Sequence, residues 1–322
     1  MSITSFPFFC LAVSRKKRNF AVKLDVELNE WSMKQVEERY ISLLTDFGFK
    51  RIFGTAMNKD LLICFLNSLF NGRQVVKDVS YLNPEHVGDV YTDRKAIFDV
   101  YCEGENGEKF IVEMQNAYQT YFKDRSLFYS TFPIREQAPK GSDRDFKLNH
   151  VYTVALLNFN MNEDAFDKEK IRHHIQLCDT ATHKVFYDKL EFIYVEIAKF
   201  NKTLGELETL YEKWLYALKN LYKLTQRPKE LYDKVFDRLF EEAEIAKFTP
   251  QELREYEASK MAYRDIKNSI DTAKQEGLAE GMELGMNKKA LDIARNMLAD
   301  GVDINLIMKY SGLTQEQIEK LK

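Results

Sequence analysis

The sequence predicts an α/β domain, a mixed sheet flanked by helices, followed by an all-helical carboxy-terminal region. Three observations carry this. Within residues 33–202 the hydrophobic period switches from helical spacing to short β-branched and aromatic runs and back again. Two of those runs are joined by Glu105-Asn106-Gly107-Glu108, a strong hairpin turn. Strand signals stop at about residue 203, and long charged amphipathic stretches take over.

In chain order, Tyr40, Leu43, Leu44 and Phe47 predict a helix over 36–47 that breaks at Gly48. A second helix over 59–70 is set by Leu61, Leu62, Phe65, Leu66 and Leu69 and stops at Asn71-Gly72. Strands are expected at 75–79, 96–102 and 110–114, the last two forming the hairpin. Helical spacing returns over 118–131, where Tyr118, Tyr121, Phe122 and Tyr129 alternate with Lys123 and Arg125. The apolar runs 151–159 and 192–197 read as buried strands, which makes the sheet mixed.

Helices are then expected over 204–224, 228–246 and 250–286, with Pro228 and Pro250 at positions where a helix can begin. Gly277, Gly281 and Gly285 recur every fourth residue in the last of these. Glycine inside a helix costs about 1 kcal/mol relative to alanine, so the stripe fits either close approach of another helix, as in a homo-oligomer, or a loosely helical linker. Three short helices follow over 288–322, with turns at Asp300-Gly301 and Ser311-Gly312 and a capping box from Thr314 to Gln317. The expected division is therefore 33–202 for the sheet domain, 203–270 for a helical extension, and 271–322 for the glycine-spaced helix and small helical tail.

Residues 1–32 read differently. The apolar run 6–13 is too short to span a bilayer and is followed by Arg15-Lys16-Lys17-Arg18, the reverse of a secretory signal. The expectation is a disordered arm or sequence upstream of the true start, and no membrane partner.

The 322 residues are 45% hydrophobic, enough for a sizeable core, which excludes a mainly disordered chain. Lys and Arg number 47 against 50 Asp and Glu, so any DNA contact must come from a local basic surface. Cys10, Cys64, Cys102 and Cys178 form no Cys-x-x-Cys pair, which argues against a disulfide framework and a zinc site and fits a reducing cytoplasm. His173 and His174 are expected at the surface, lacking a carboxylate or cysteine at ligand spacing.

Chemistry concentrates at the hairpin. Asp99 lies among Ile97, Phe98, Val100 and Tyr101, where a carboxylate is expensive to bury alone. Glu113 lies in the paired strand. Side by side, the two carboxylates can share one divalent ion, with the Met114 backbone carbonyl as a third oxygen; hard ligands and open water positions suit Mg2+, with Mn2+ as a substitute. Periodicity alone fits equally a pair of edge-strand acids facing solvent.

The segment FDVYCEGENGEKFIVEMQ, with TDFGFKRIFG upstream and RSLFYS downstream, resembles the PD-(D/E)XK nucleases grouped as family transposases, relatives of the bacterial recombination-promoting (Rpn) nucleases. EGLAEGMELG and IARNMLADGVDINLIMKYSGLTQEQIEKL resemble the common ending of that group, so the likeness runs over about residues 33–322. It implies a restriction-endonuclease-like core and Mg2+-dependent DNA endonuclease activity in recombination or mobile-element biology. Asp99 and Glu113 would hold the metal. In the standard motif a lysine stands two residues after the glutamate; here that residue is Gln115, which can hydrogen-bond a water but carries no charge. The resemblance also assigns Asp46 as an additional acid on the first helix, although a helix-capping role fits it too. Lys50, one turn later, can meet a phosphate, and Arg125 can reach the DNA backbone or simply face solvent.

Two further readings stand beside the nuclease. One is a nuclease-fold module that binds DNA or protein partners without useful turnover, which Gln115 favours. The other is a DNA-binding regulator on the helices of 303–321, where Lys309 and Lys320 offer little phosphate anchoring.

Overall fold

A computed structural model describes residues 38–86, 96–138, 147–161 and 167–321 of the protein. The expectation for residues 1–32 lies outside the described residues.

The first helix among the described residues is α1 (Asp46–Phe53), later than the apolar spacing suggested. Tyr40, Leu43 and Leu44 are buried as expected, but they belong to an irregular segment that pairs with a distant one: the Ile41 amide donates to Ala243 O and the Ile245 amide to Arg39 O. Thr45 then caps α1, its hydroxyl accepting from the Gly48 amide at 3.1 Å. Gly48 lies inside the helix instead of ending it, and only glycine fits there, because the carbonyl of Ser42 comes within 2.1 Å of where a Cβ would sit.

Helix α2 (Lys59–Phe70) has the predicted bounds and ends on Asn71 in the left-handed conformation. Strands β1 (Val79–Tyr81), β2 (Glu85–His86), β3 (Ala96–Ile97), β4 (Val100–Gly104) and β5 (Lys109–Gln115) follow. The expected strand 75–79 is displaced towards Tyr81. The expected strand 96–102 is split: β3 pairs with β2, β4 pairs with β5, and Phe98 and Asp99 lie between. Gly107, at φ 84°, makes the hairpin turn that Asn-Gly demands.

Helix α3 (Phe122–Glu136) is followed by β6 (Val151–Leu157), buried at every position. Next come β7 (Arg172–Cys178) and β8 (Val185–Glu196). The six-stranded sheet has the order β1-β4-β5-β6-β8-β7 and is mixed, with β5, β6 and β8 parallel and the outer strands antiparallel. Strand β7 buries His173, contrary to expectation, and leaves His174 exposed, as expected. His173 is buried, its Nε2 2.7 Å from Glu196 Oε1, and His174 contacts Glu191 and Arg73. Glu196 has no exposure and is met also by Lys199 and the Met161 amide, as a buried carboxylate must be.

Helices α4 (Leu210–Asn220) and α5 (Lys234–Glu242) are shorter than the spacing suggested, whereas α6 (Pro250–Ala299) begins at Pro250 as expected and runs on past residue 286. Their apolar faces join the main core: Trp214, Phe236 and Tyr256 pack in one cluster with Phe53, Phe65, Val112 and Val154. Each such side chain contributes roughly 1.5–3 kcal/mol through burial. Helix α3 covers the other face of the sheet, over Ala155, Leu157 and Tyr194.

Helix α6 runs unbroken into the tail, so the first of the three expected tail helices is its continuation. Residues 264–289 are all exposed. From Ala290 onward α6 packs with α7 (Ile304–Ser311) and α8 (Gln315–Glu319) around Ala294, Ile307 and Ile318. Gly301 and Gly312 make the two turns, and Thr314 with Gln317 forms the capping box. No helix among the described residues is long and apolar enough to cross a membrane. Cys64, Cys102 and Cys178 are free thiols.

Candidate active site

The hairpin register places Val100 opposite Val112, which carries Asp99 opposite Glu113 one step further. The ladder ends there, and side chains complete it. The Asp99 amide donates to Glu113 Oε1 at 3.3 Å, and the Met114 amide donates to Asp99 Oδ2 at 2.8 Å. Each acid thus satisfies a backbone donor that β4 leaves without a strand partner.

Both groups are largely withdrawn from water, Glu113 retaining 7% exposure and the Asp99 side chain 21%. Burial pushes the Glu113 carboxyl well up from its ordinary value, and the neighbouring Asp99 charge adds to the shift. Burial also raises Asp99, against the Met114 amide and Lys50, which favour its charged form.

The remaining candidates assemble around this pair. On the α3 side, Gln115 Nε2 donates to Glu113 Oε2 at 3.0 Å, and Arg125 Nη2 donates to Gln115 Oε1. Arg125 Nη1 donates to Gln119 Oε1 at 2.5 Å. The guanidinium carbon lies 5.9 Å from the Phe122 ring centre and 5.8 Å from that of Tyr129. On the α1 side, Lys50 Nζ is 2.7 Å from Asp46 Oδ1 and 3.9 Å from Asp99 Oδ1. Asp46 therefore reaches the pair only through Lys50. Burial is the largest influence on the Lys50 pKa and lowers it, but the Asp46 hydrogen bond together with the charges of Asp46, Asp99 and Glu113 outweighs it, and the net shift is upward.

Asp46, Lys50, Asp99, Glu113, Gln115 and Arg125 are thus one connected polar chain crossing the strand ends. Sequence reasoning missed the residues that frame it. Asn116 Nδ2 donates to Leu44 O at 2.7 Å, tying the exit of β5 to the segment before α1. The Asn158 amide donates to Gln115 O at 2.8 Å, and its side chain reaches Asn116 and the Tyr263 hydroxyl, both at 3.3 Å. The only signal available was a polar residue directly after each buried run.

The donor set fits a hard divalent cation that keeps several waters. Two close carboxylates are largely withdrawn from water, and the Met114 carbonyl belongs to the residue between Glu113 and Gln115. Among the described residues no group of three Asp, Glu, His or Cys side chains is arranged to hold a metal.

Residues 43–273 match the family model described as PD-(D/E)XK nuclease family transposase. Residues 287–322 match the C-terminal HTH domain of the Rpn/YhgA-like nuclease family. No curated protein and no solved structure matches the chain.

Proposed function

The chain belongs to the PD-(D/E)XK nuclease family transposases, and from that premise we propose that it is a metal-dependent DNA endonuclease, hydrolysing phosphodiester bonds in recombination or mobile-element biology. The observation that carries this reading is Asp99 facing Glu113, two acids largely withdrawn from water at neighbouring strand ends.

In this reading Asp99, Glu113 and the Met114 carbonyl hold Mg2+, or Mn2+ in its place. A bound divalent ion lowers the pKa of its water and offsets charge on the phosphate. Gln115 hydrogen-bonds the attacking water. Asp46 fixes Lys50, and Lys50 is the cation we assign to the DNA backbone. We divide the chain into the nuclease domain of 33–202, the helical extension of 203–270 and the tail of 271–322. The HTH match supports DNA as the tail's partner too. We also read the open glycine stripe of α6 as a contact between copies: a Cβ at Gly277, Gly281 or Gly285 would meet nothing within 4 Å, and Leu278, Met282 and Met286 beside them are exposed.

Plasmid nicking by the full chain tests the proposal. Nicking is expected with Mg2+ or Mn2+, and none with EDTA or in the Asp99→Ala and Glu113→Ala variants. Folded protein that binds DNA yet cuts with neither metal would sink it. The nuclease-fold binding module, which the neutral Gln115 favours, would then be the reading that stands.

A further inference from the structure

We propose that Arg125 is a positioning residue for cleavage, acting through Gln115, so that the two side chains together do what a single lysine does two residues after the motif glutamate. This rests on the reading of the chain as a nuclease.

The argument starts from what a glutamine can do at this place. Its amide presents an oxygen acceptor on one side and two N–H donors on the other, and the two ends have nearly the same shape. Beside Glu113 only one orientation works, because an amide oxygen turned towards the carboxylate would be repelled. Arg125 selects the working orientation. A guanidinium donates and never accepts, so its contact with Gln115 Oε1 requires the amide nitrogen to face Glu113, where it lies 3.0 Å from Oε2. One N–H is used there, and the second remains for a water at the carboxylate.

Arg125 is itself held. Its other terminal nitrogen donates to Gln119 Oε1, and the rings of Phe122 and Tyr129, on adjacent turns of the same helix, lie near its guanidinium. A side chain engaged in this way is suited to orienting a neighbour and poorly suited to swinging out to a passing phosphate. It also brings to the Glu113 side of the site the positive charge that Gln115 lacks, one residue further out than a motif lysine would. Lys50 supplies the corresponding charge on the Asp99 side.

The test uses the full chain, with single-turnover plasmid nicking at saturating DNA and DNA affinity measured separately in Ca2+. Arg125→Ala is expected to nick about 10–100-fold more slowly, the usual cost of losing a partner that orients a site residue, with DNA affinity unchanged. Arg125→Lys is expected to stay slow, because a point charge does not reproduce the planar fork. Gln115→Lys alone is expected to be slow, since the new ammonium faces Arg125. The double variant Gln115→Lys with Arg125→Ala is expected to recover at least tenfold over Arg125→Ala. A separate thermal-unfolding cycle with Gln115→Ala, Arg125→Ala and their combination is expected to be non-additive, and this readout does not depend on cleavage.

Wild-type nicking speed in Arg125→Ala would overturn the proposal. So would a defect confined to DNA affinity, the mark of a plain phosphate contact. A double variant no faster than Arg125→Ala, or an additive unfolding cycle, would overturn it as well. Wild-type protein that nicks nothing fails before any variant is compared, and so marks failure of the nuclease reading itself.

Discussion

The hydroxyl of Tyr256 accepts a hydrogen bond from the amide of Ser42 at 3.0 Å, across 214 residues of sequence. Tyr256 is fully buried on α6, and Ser42 lies in the segment that leads into α1, the helix bearing Asp46 and Lys50. The Tyr256 hydroxyl in turn donates to Glu38 Oε2 at 3.0 Å, and Ser259 Oγ accepts from the Phe47 amide at 3.0 Å. The start of helix α6 therefore sets where the amino-terminal half of the site begins.

Tyr256→Phe keeps the ring and removes the acceptor, leaving the buried Ser42 amide unpaired. The expected loss is about 1–3 kcal/mol, read as a lower Tm in thermal unfolding. Nicking should fall with it as α1 loosens. An unchanged Tm would mean that the contact carries no stability.

Gly48→Ala is expected to be worse than the usual surface Gly-to-Ala change, which stabilises a helix. Its Cβ would stand 2.1 Å from Ser42 O and 2.9 Å from Thr45 Oγ1, so backbone must move. Overpacking of this kind costs about 1–3 kcal/mol. The displacement lies between Asp46 and Lys50, so cleavage should drop further than stability alone accounts for. A rise in Tm would show that the segment before α1 yields freely.

Glu113→Gln should stabilise the metal-free protein while abolishing cleavage. The folded state raises this carboxyl above its ordinary value of 4.5. The folded protein thus holds the proton more tightly than the unfolded chain. Its contribution to stability is fully present below about pH 4.5 and is lost as pH rises through the raised value. Glutamine cannot ionise, so the gain in Tm over wild type should grow from pH 5 to pH 8. Each pH unit crossed adds about 1.4 kcal/mol, roughly 3–6 °C in a domain of about 150–250 residues. Mg2+ should narrow the difference by stabilising the wild type alone. A gain that shrinks with rising pH would contradict the burial described for Glu113.

Changing Gly277, Gly281 and Gly285 together to alanine separates two roles of the α6 stripe. With no partner helix, each change should stabilise the helix by up to about 1 kcal/mol, and sedimentation velocity should be unchanged. If copies pack through the glycines, the added methyl groups should hold the backbones apart and weaken self-association. The second outcome is expected.

Much of this was legible in the sequence, and the reasons are specific. The Asn106-Gly107 turn fixes the hairpin register, and counting back from it puts Asp99 opposite Glu113 without any structure. Helix α2 was legible because its apolar stripe and its Asn71 cap agree. The start of α1 was not, because Tyr40, Leu43 and Leu44 have helical spacing but are buried by pairing with 243–245, a tertiary contact that no local window contains. Strand β7 was hidden by composition: Arg172-His173-His174 is polar, and Glu191 and Glu196 that answer it lie on another strand. The contact from Arg125 to Gln115 was likewise invisible, since nothing in spacing says which face of α3 turns towards β5.

The solvated stretch 264–289 of α6 has a geometric consequence for the tail. At about 1.5 Å per residue it spans roughly 40 Å. It also advances about 100° of azimuth with each residue. Its length therefore sets bearing as well as distance: deleting one residue would turn the three-helix tail by more than a right angle about the helix axis, whereas deleting seven would bring it back to within about 20° of its original heading.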